Sequence, residues 1–162
     1  DILKTLAGLT PEEMDLVKVE YRRHFGKDLE TQMREDMGLG DWKPGDGFEA
    51  GGWWTSHFTD QNEGRIALMM MDKTHRVEGM REMLLEYSER AMFEDEDLIF
   101  NTLEKMTVDE RTKLVSGFEG QHFLDKVKED LGTNEAALVD AITKLNEETG
   151  KADANPAHIA AV

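Results

Sequence analysis

The chain has 162 residues, no cysteine, and 35 acidic against 19 basic residues, for a formal charge of −16. That length suits one domain with its own core, and the missing cysteine excludes a disulfide framework, a thiolate zinc site and a cysteine nucleophile while leaving the compartment open. The acidic balance repels phosphate backbones, which excludes nucleic acid as the main partner, and it opposes bare contact with an anionic membrane.

Two readings of the acidity remain. It is either a solvated surface that keeps the protein soluble or a set of oxygen-rich loops suited to a hard divalent cation such as calcium. No apolar run approaches the ~20 residues of a membrane span, and no segment has the order of a signal peptide. The opening "DILKTLAGL" has no methionine and enters a helical pattern at once, so the expectation is a fragment of a longer protein.

The first predicted helices cover 2–9 and 11–25. Thr10, Pro11 and Glu13 announce the second start: a hydroxyl cap, a proline where its missing donor does no harm, and a carboxylate that reaches back to the cap. A third helix over 28–37 carries the stripe Leu29, Met33 and Met37. Residues 38–64, "GLGDWKPGDGFEAGGWWTSHFTDQNEG", have no helical period and read as a long loop or insertion.

Beyond the loop, "RIALMMMD" reads as a short buried helix over 65–72, its methionines serving as core packing. A helix over 75–92 shows the stripe Val77, Met80, Leu84, Tyr87 and Ala91. Helices are then expected over 96–106, over 108–118 behind a second capping box at Thr107 and Glu110, over 123–131, and over 135–146 with Leu138, Ile142 and Leu145 inward. Residues 147–162 read as a tail or linker. No segment alternates at period two, so the fold class is all-α.

An offset of 97 residues places Thr10 on Thr107 and also pairs Thr5 with Thr102, Leu6 with Leu103, Val17 with Leu114 and Tyr21 with Phe118. After a three-residue deletion, "MREDMG" meets "VKEDLG". The pattern predicts one plan used twice, with matching core positions.

On these residues, "LTPEEMDLVKVEYRRHFGKDLETQMREDMG" resembles the middle of an annexin repeat, with its tyrosine, its "FGKDL" turn and its closing acidic helix. The resemblance implies a right-handed superhelix of short helices in a single domain, 1–146. Within it, 1–72 would be a partial first repeat carrying the insertion 38–64, and 75–146 a second repeat. Animal annexins typically carry an arginine between the second and third helices of a repeat, where this chain has "AGLT" and "EKMT". That departure makes it look more like the annexin-like repeats of large bacterial proteins.

The same resemblance implies a calcium site built from backbone carbonyls of a glycine-rich loop and a carboxylate about forty residues on. The loop "MFEDED" has Phe93 and Glu94 in place of the glycines. The candidate ligands are Glu94, Asp95, Asp97 and Glu135, together with Asp41, Asp46 and Glu49 of the glycine-rich insertion. Each also has an ordinary reading as a helix-start or solvated carboxylate. Trp42, Trp53, Trp54 and Phe58 are candidates for contact with a membrane interface or a partner, or for packing the insertion onto the helices.

There is no P-loop, nucleophile elbow, HExxH or dinucleotide fingerprint, and no two histidines stand three or four apart. The expectation is therefore a non-enzymatic structural or protein-interaction module. Calcium-dependent binding to anionic phospholipid, and a subunit of a large assembly such as a virion or injection apparatus, are the alternatives.

Overall fold

A computed structural model describes residues 2–46, 60–90, 96–131 and 141–148, with side chains for most of them. The described residues are helical, with turns between and no strand among them. In order they form α1 (Ile2–Ala7), α2 (Pro11–Phe25), α3 (Leu29–Asp36), α4 (Asp60–Met71), α5 (Arg76–Arg90), α6 (Glu96–Lys105), α7 (Val108–Leu114), α8 (Gly117–Leu131) and α9 (141–148). The chain divides into two compact units, Asp1–Met83 and Leu84–Val162, so the boundary falls inside α5.

In the first unit α4 packs against α1 and α3, and α3 also meets α2. The reason is compositional: Ile66 to Met71 is an unbroken apolar run buried on every side, so this helix needs neighbours all round it. Leu3, Leu6 and Ala7 of α1, Met14 of α2, Met33 of α3 and Met80 of α5 are buried as well. Met69, Met70, Met71, Met80 and Met83 are core residues, as expected. In the second unit α7 packs against α8, and Leu103, Met106, Leu114, Phe123, Leu124 and Ile142 are buried.

Both predicted capping boxes form, with nearly the same geometry. Thr10 (φ −71°, ψ 165°) accepts from the Glu13 amide at 3.2 Å while Glu13 accepts from the Thr10 amide at 2.8 Å. Thr107 (φ −69°, ψ 165°) and Glu110 repeat both bonds at the same two distances. The turns leading in agree too, with Leu9 N–H on the Leu6 carbonyl and Met106 N–H on the Leu103 carbonyl, each at 3.2 Å.

After the caps the two stretches part. α2 runs 15 residues to Gly26, whose positive φ of 70° ends it. α7 stops after 7, and Gly117, also at φ 70°, opens a 15-residue α8. The predicted helix over 108–118 is thus too long and the one over 123–131 starts too late. The turn is forced early because the Ser116 carbonyl accepts from Gly120, whose missing side chain would stand 2.2 Å from the Val115 carbonyl carbon. The paired core positions agree only in part: Leu6 and Leu103 are both buried, whereas Leu114 is buried but Val17 is 37 % exposed, and Phe118, beyond the early turn, is 84 % exposed.

The hydroxyl caps give a direct test. Thr10→Ala and Thr107→Ala should each destabilise the protein by about 1 kcal/mol in urea or thermal unfolding, and Ser at either position should restore most of the loss.

Candidate functional site

Of the residues singled out for calcium or for surface contact, Glu49, Glu94, Asp95, Glu135, Trp53, Trp54 and Phe58 lie outside the described residues. Asp97 belongs to α6, with its side chain outside the description. Asp41, Trp42 and Asp46 are described, in the turn that follows α3.

That turn spends its oxygens internally. The Gly38 carbonyl accepts from the Gln61 amide at 3.4 Å, the Leu39 carbonyl from Trp42 N–H at 3.2 Å, and the Trp42 carbonyl from the Arg34 guanidinium. The Asp46 carboxylate accepts from Lys43 N–H at 2.8 Å, and Asp41 is exposed. Trp42 is half-buried, with the Arg65 guanidinium 5.8 Å from its ring centroid. A cation site needs several oxygens converging on one point, whereas here guanidiniums hold one carbonyl and one ring face. No group of three or more His, Asp or Glu side chains placed to hold a metal occurs among the described residues. The contacts with Arg34 and Arg65 tie Trp42 to α3 and α4.

The polar groups that the structure does bring together are cations aimed at helix ends. α4 finishes with three methionines and no basic residue in its last turn; the Asp72 amide serves the Leu68 and Met69 carbonyls, and those of Met70 and Met71 are served by side chains from elsewhere. Lys18, reaching from α2, donates to the Met71 carbonyl at 2.6 Å and pairs with Glu30 at 2.7 Å. Arg76, buried at the start of α5, donates to the Met70 carbonyl at 3.3 Å and to the Leu9 carbonyl at 2.6 Å. One guanidinium thereby joins the end of α4 to the turn between α1 and α2.

The second unit contains a comparable arrangement. Arg111, 2 % exposed, donates to the carbonyls of Leu103 at 2.9 Å and Met106 at 2.7 Å and to the Asn146 side chain at 2.7 Å. Its guanidinium therefore joins the turn between α6 and α7 to α9. Burial lowers its pKa from the ordinary arginine value, yet a group that basic stays charged at neutral pH. At an offset of 97 residues, Met106 stands on Leu9 and Arg111 on the buried Met14. The two turns are thus held by arginines from different helices.

Between α4 and α5, Asp72 organises the turn. Its Oδ1 accepts from Thr74 N–H at 2.9 Å, from His75 N–H at 3.0 Å and from His75 Nδ1 at 2.8 Å. A carboxylate can only accept here, so Nδ1 carries the proton and Nε2 points away, against Gly45; a side chain at Gly45 would stand 3.0 Å from that nitrogen. Partial burial raises the Asp72 pKa, but the hydrogen bonds from the His75 ring, the His75 amide and the Thr74 amide outweigh it and hold the carboxyl below its ordinary value.

Sequence reasoning passed over Arg76, Arg111, Lys18 and the Asp72–His75 pair. A signal for Arg111 existed: a charged residue stood where the other copy has a core methionine. No protein-family model, no curated protein and no solved structure matches this chain.

Two measurements follow. Arg111→Met, which installs the residue found at the matching position of the first unit, should cost about 3 kcal/mol because two buried carbonyls lose their donor, and Arg111→Lys should recover only part of that. For Asp72, whose folded pKa is depressed, the stabilisation is present above the ordinary value near 3.8 and is lost as pH falls through the folded value. Wild-type stability relative to Asp72→Asn should therefore decline between about pH 5 and pH 3, measured by urea titration at each pH, while Asp72→Ala should cost about 1 kcal/mol at neutral pH.

Proposed function

We propose that the chain is a non-enzymatic, annexin-like helical module that serves as a structural or protein-interaction element of a larger bacterial protein. The observation that carries this reading is the recurrence of one turn. At 97 residues' offset the same short helix end, the same closing hydrogen bond and the same capping box recur, and in both places a buried arginine donates to the same backbone carbonyl.

The chemistry of the described polar groups agrees. Arg76, Arg111, Lys18 and Asp72 are engaged in holding turns and helix ends. What faces outward is helix surface: Leu16, Val19 and Phe25 of α2 are all more than 60 % exposed. Apolar side chains on a rigid helix, set among charges, suit contact with another protein better than capture of a small molecule.

Co-sedimentation with anionic liposomes separates this reading from a calcium-dependent membrane binder. With millimolar calcium or with chelator the protein should stay in the supernatant, and calcium should move the Tm by less than about 1 °C. Calcium-dependent pelleting that disappears in Trp53→Ala/Trp54→Ala would overturn the module reading in favour of membrane attachment.

A further inference from the structure

α2 is exposed along its outer side. Glu12, Leu16, Val19 and Arg23 recur at spacings of four, three and four, so they form one stripe along the 15-residue helix. Leu16 and Val19 are 62 % and 61 % exposed, while the opposite side buries Met14 and half-buries Lys18 and Tyr21. The helix therefore has a packed face and a second face whose centre is apolar and whose ends are oppositely charged.

The order of that second face is self-complementary. Reversed end for end, acid–apolar–apolar–base becomes base–apolar–apolar–acid. When two copies of the stripe lie antiparallel, Glu12 of each comes level with Arg23 of the other and Leu16 with the other's Val19. An isologous two-fold contact demands this arrangement, because residue i must meet j wherever j meets i. The antiparallel setting also opposes the two helix dipoles.

We propose that this stripe is a self-association surface whose occupant is the α2 stripe of a second copy of the chain. The inference rests on the interaction-module reading and names its partner. Arg23 already pairs with Glu20 of its own helix at 2.7 Å; with five donors it bridges Glu20 and the second copy's Glu12 together.

Magnitudes limit the strength. Two helices of this length bury less than the roughly 1,200–2,000 Å² of a stable interface, so Kd is on the order of tens to hundreds of micromolar. The charge of −16 on each copy is screened beyond about 8 Å at physiological salt, whereas the stripe contacts act at closer range. Association is therefore expected near 0.15 M salt and is weaker at very low salt.

Sedimentation velocity on the full chain, from about 5 µM to about 500 µM, should show a reversible monomer–dimer equilibrium. Leu16→Glu/Val19→Glu should leave only monomer with an unchanged helical spectrum; these side chains are exposed, so the fold does not depend on them. Glu12→Arg alone and Arg23→Glu alone should each weaken self-association about tenfold, because each puts like charges together twice per dimer. Mixing those two single variants should restore a dimer containing one of each, and the double charge swap in one chain should self-associate like wild type. Monomer at every concentration, or a dimer indifferent to Leu16 and Val19, would overturn the proposal. Neither outcome touches the module reading, which fails on calcium-dependent liposome pelleting instead.

Discussion

The structure depends on how helix C-termini are satisfied once they are buried. An α-helix leaves its last carbonyls without internal partners, and in water that costs little. α4 ends in three buried methionines, so its end must find donors elsewhere. Lys18 and Arg76 supply them, and because Arg76 also holds the Leu9 carbonyl, satisfying one helix end fixes the turn that launches another. Arg111 does the same for the turn before α7. A guanidinium suits this use because it presents several donors in a rigid plane and remains charged when buried.

This arrangement explains why two turns can keep one geometry while the helices after them diverge. The capping box is local, formed by residues three apart, and it sets the direction of the following helix whatever that helix then does. With the turn also pinned by a buried arginine, length changes farther along do not propagate back. α2 runs its full 15 residues, whereas α7 is cut to 7 by the Val115–Gly120 turn. Leu114 consequently stays in the core while Phe118 is carried out of it.

Legibility in the sequence followed the range of the interaction responsible. The positions of α2, α3 and α6 and both capping boxes were readable, since periodicity and caps are written within a few residues. The methionine run of α4 announced its burial directly. The shift of the α7–α8 turn was hidden because a periodic stripe through Leu114 and Phe118 fits a helix whether or not the helix continues, and only a close backbone approach at Gly120 decides it. Arg76 reaches a carbonyl 67 residues away, a distance at which no local pattern speaks. In the acidic loop, Asp41 and Asp46 have the composition of a calcium loop, and composition does not show that Arg34 and Gln61 hold two of its carbonyls.

The distribution of charge links this architecture to the protein's surface. Of only 19 basic residues, Arg76, Arg81 and Arg111 are buried and Lys18 is partly so; the cations that hold the turns are withdrawn from the outside. Among the described residues no carboxylate is buried, so the surface there is more acidic than the composition alone implies. On such a surface α2 is dipolar: its last turn carries Arg22, Arg23 and His24 and its first turn Glu12 and Glu13. The helix is thus a dipolar patch on an acidic body, and a dipolar patch is best matched by a surface of the same pattern turned end for end.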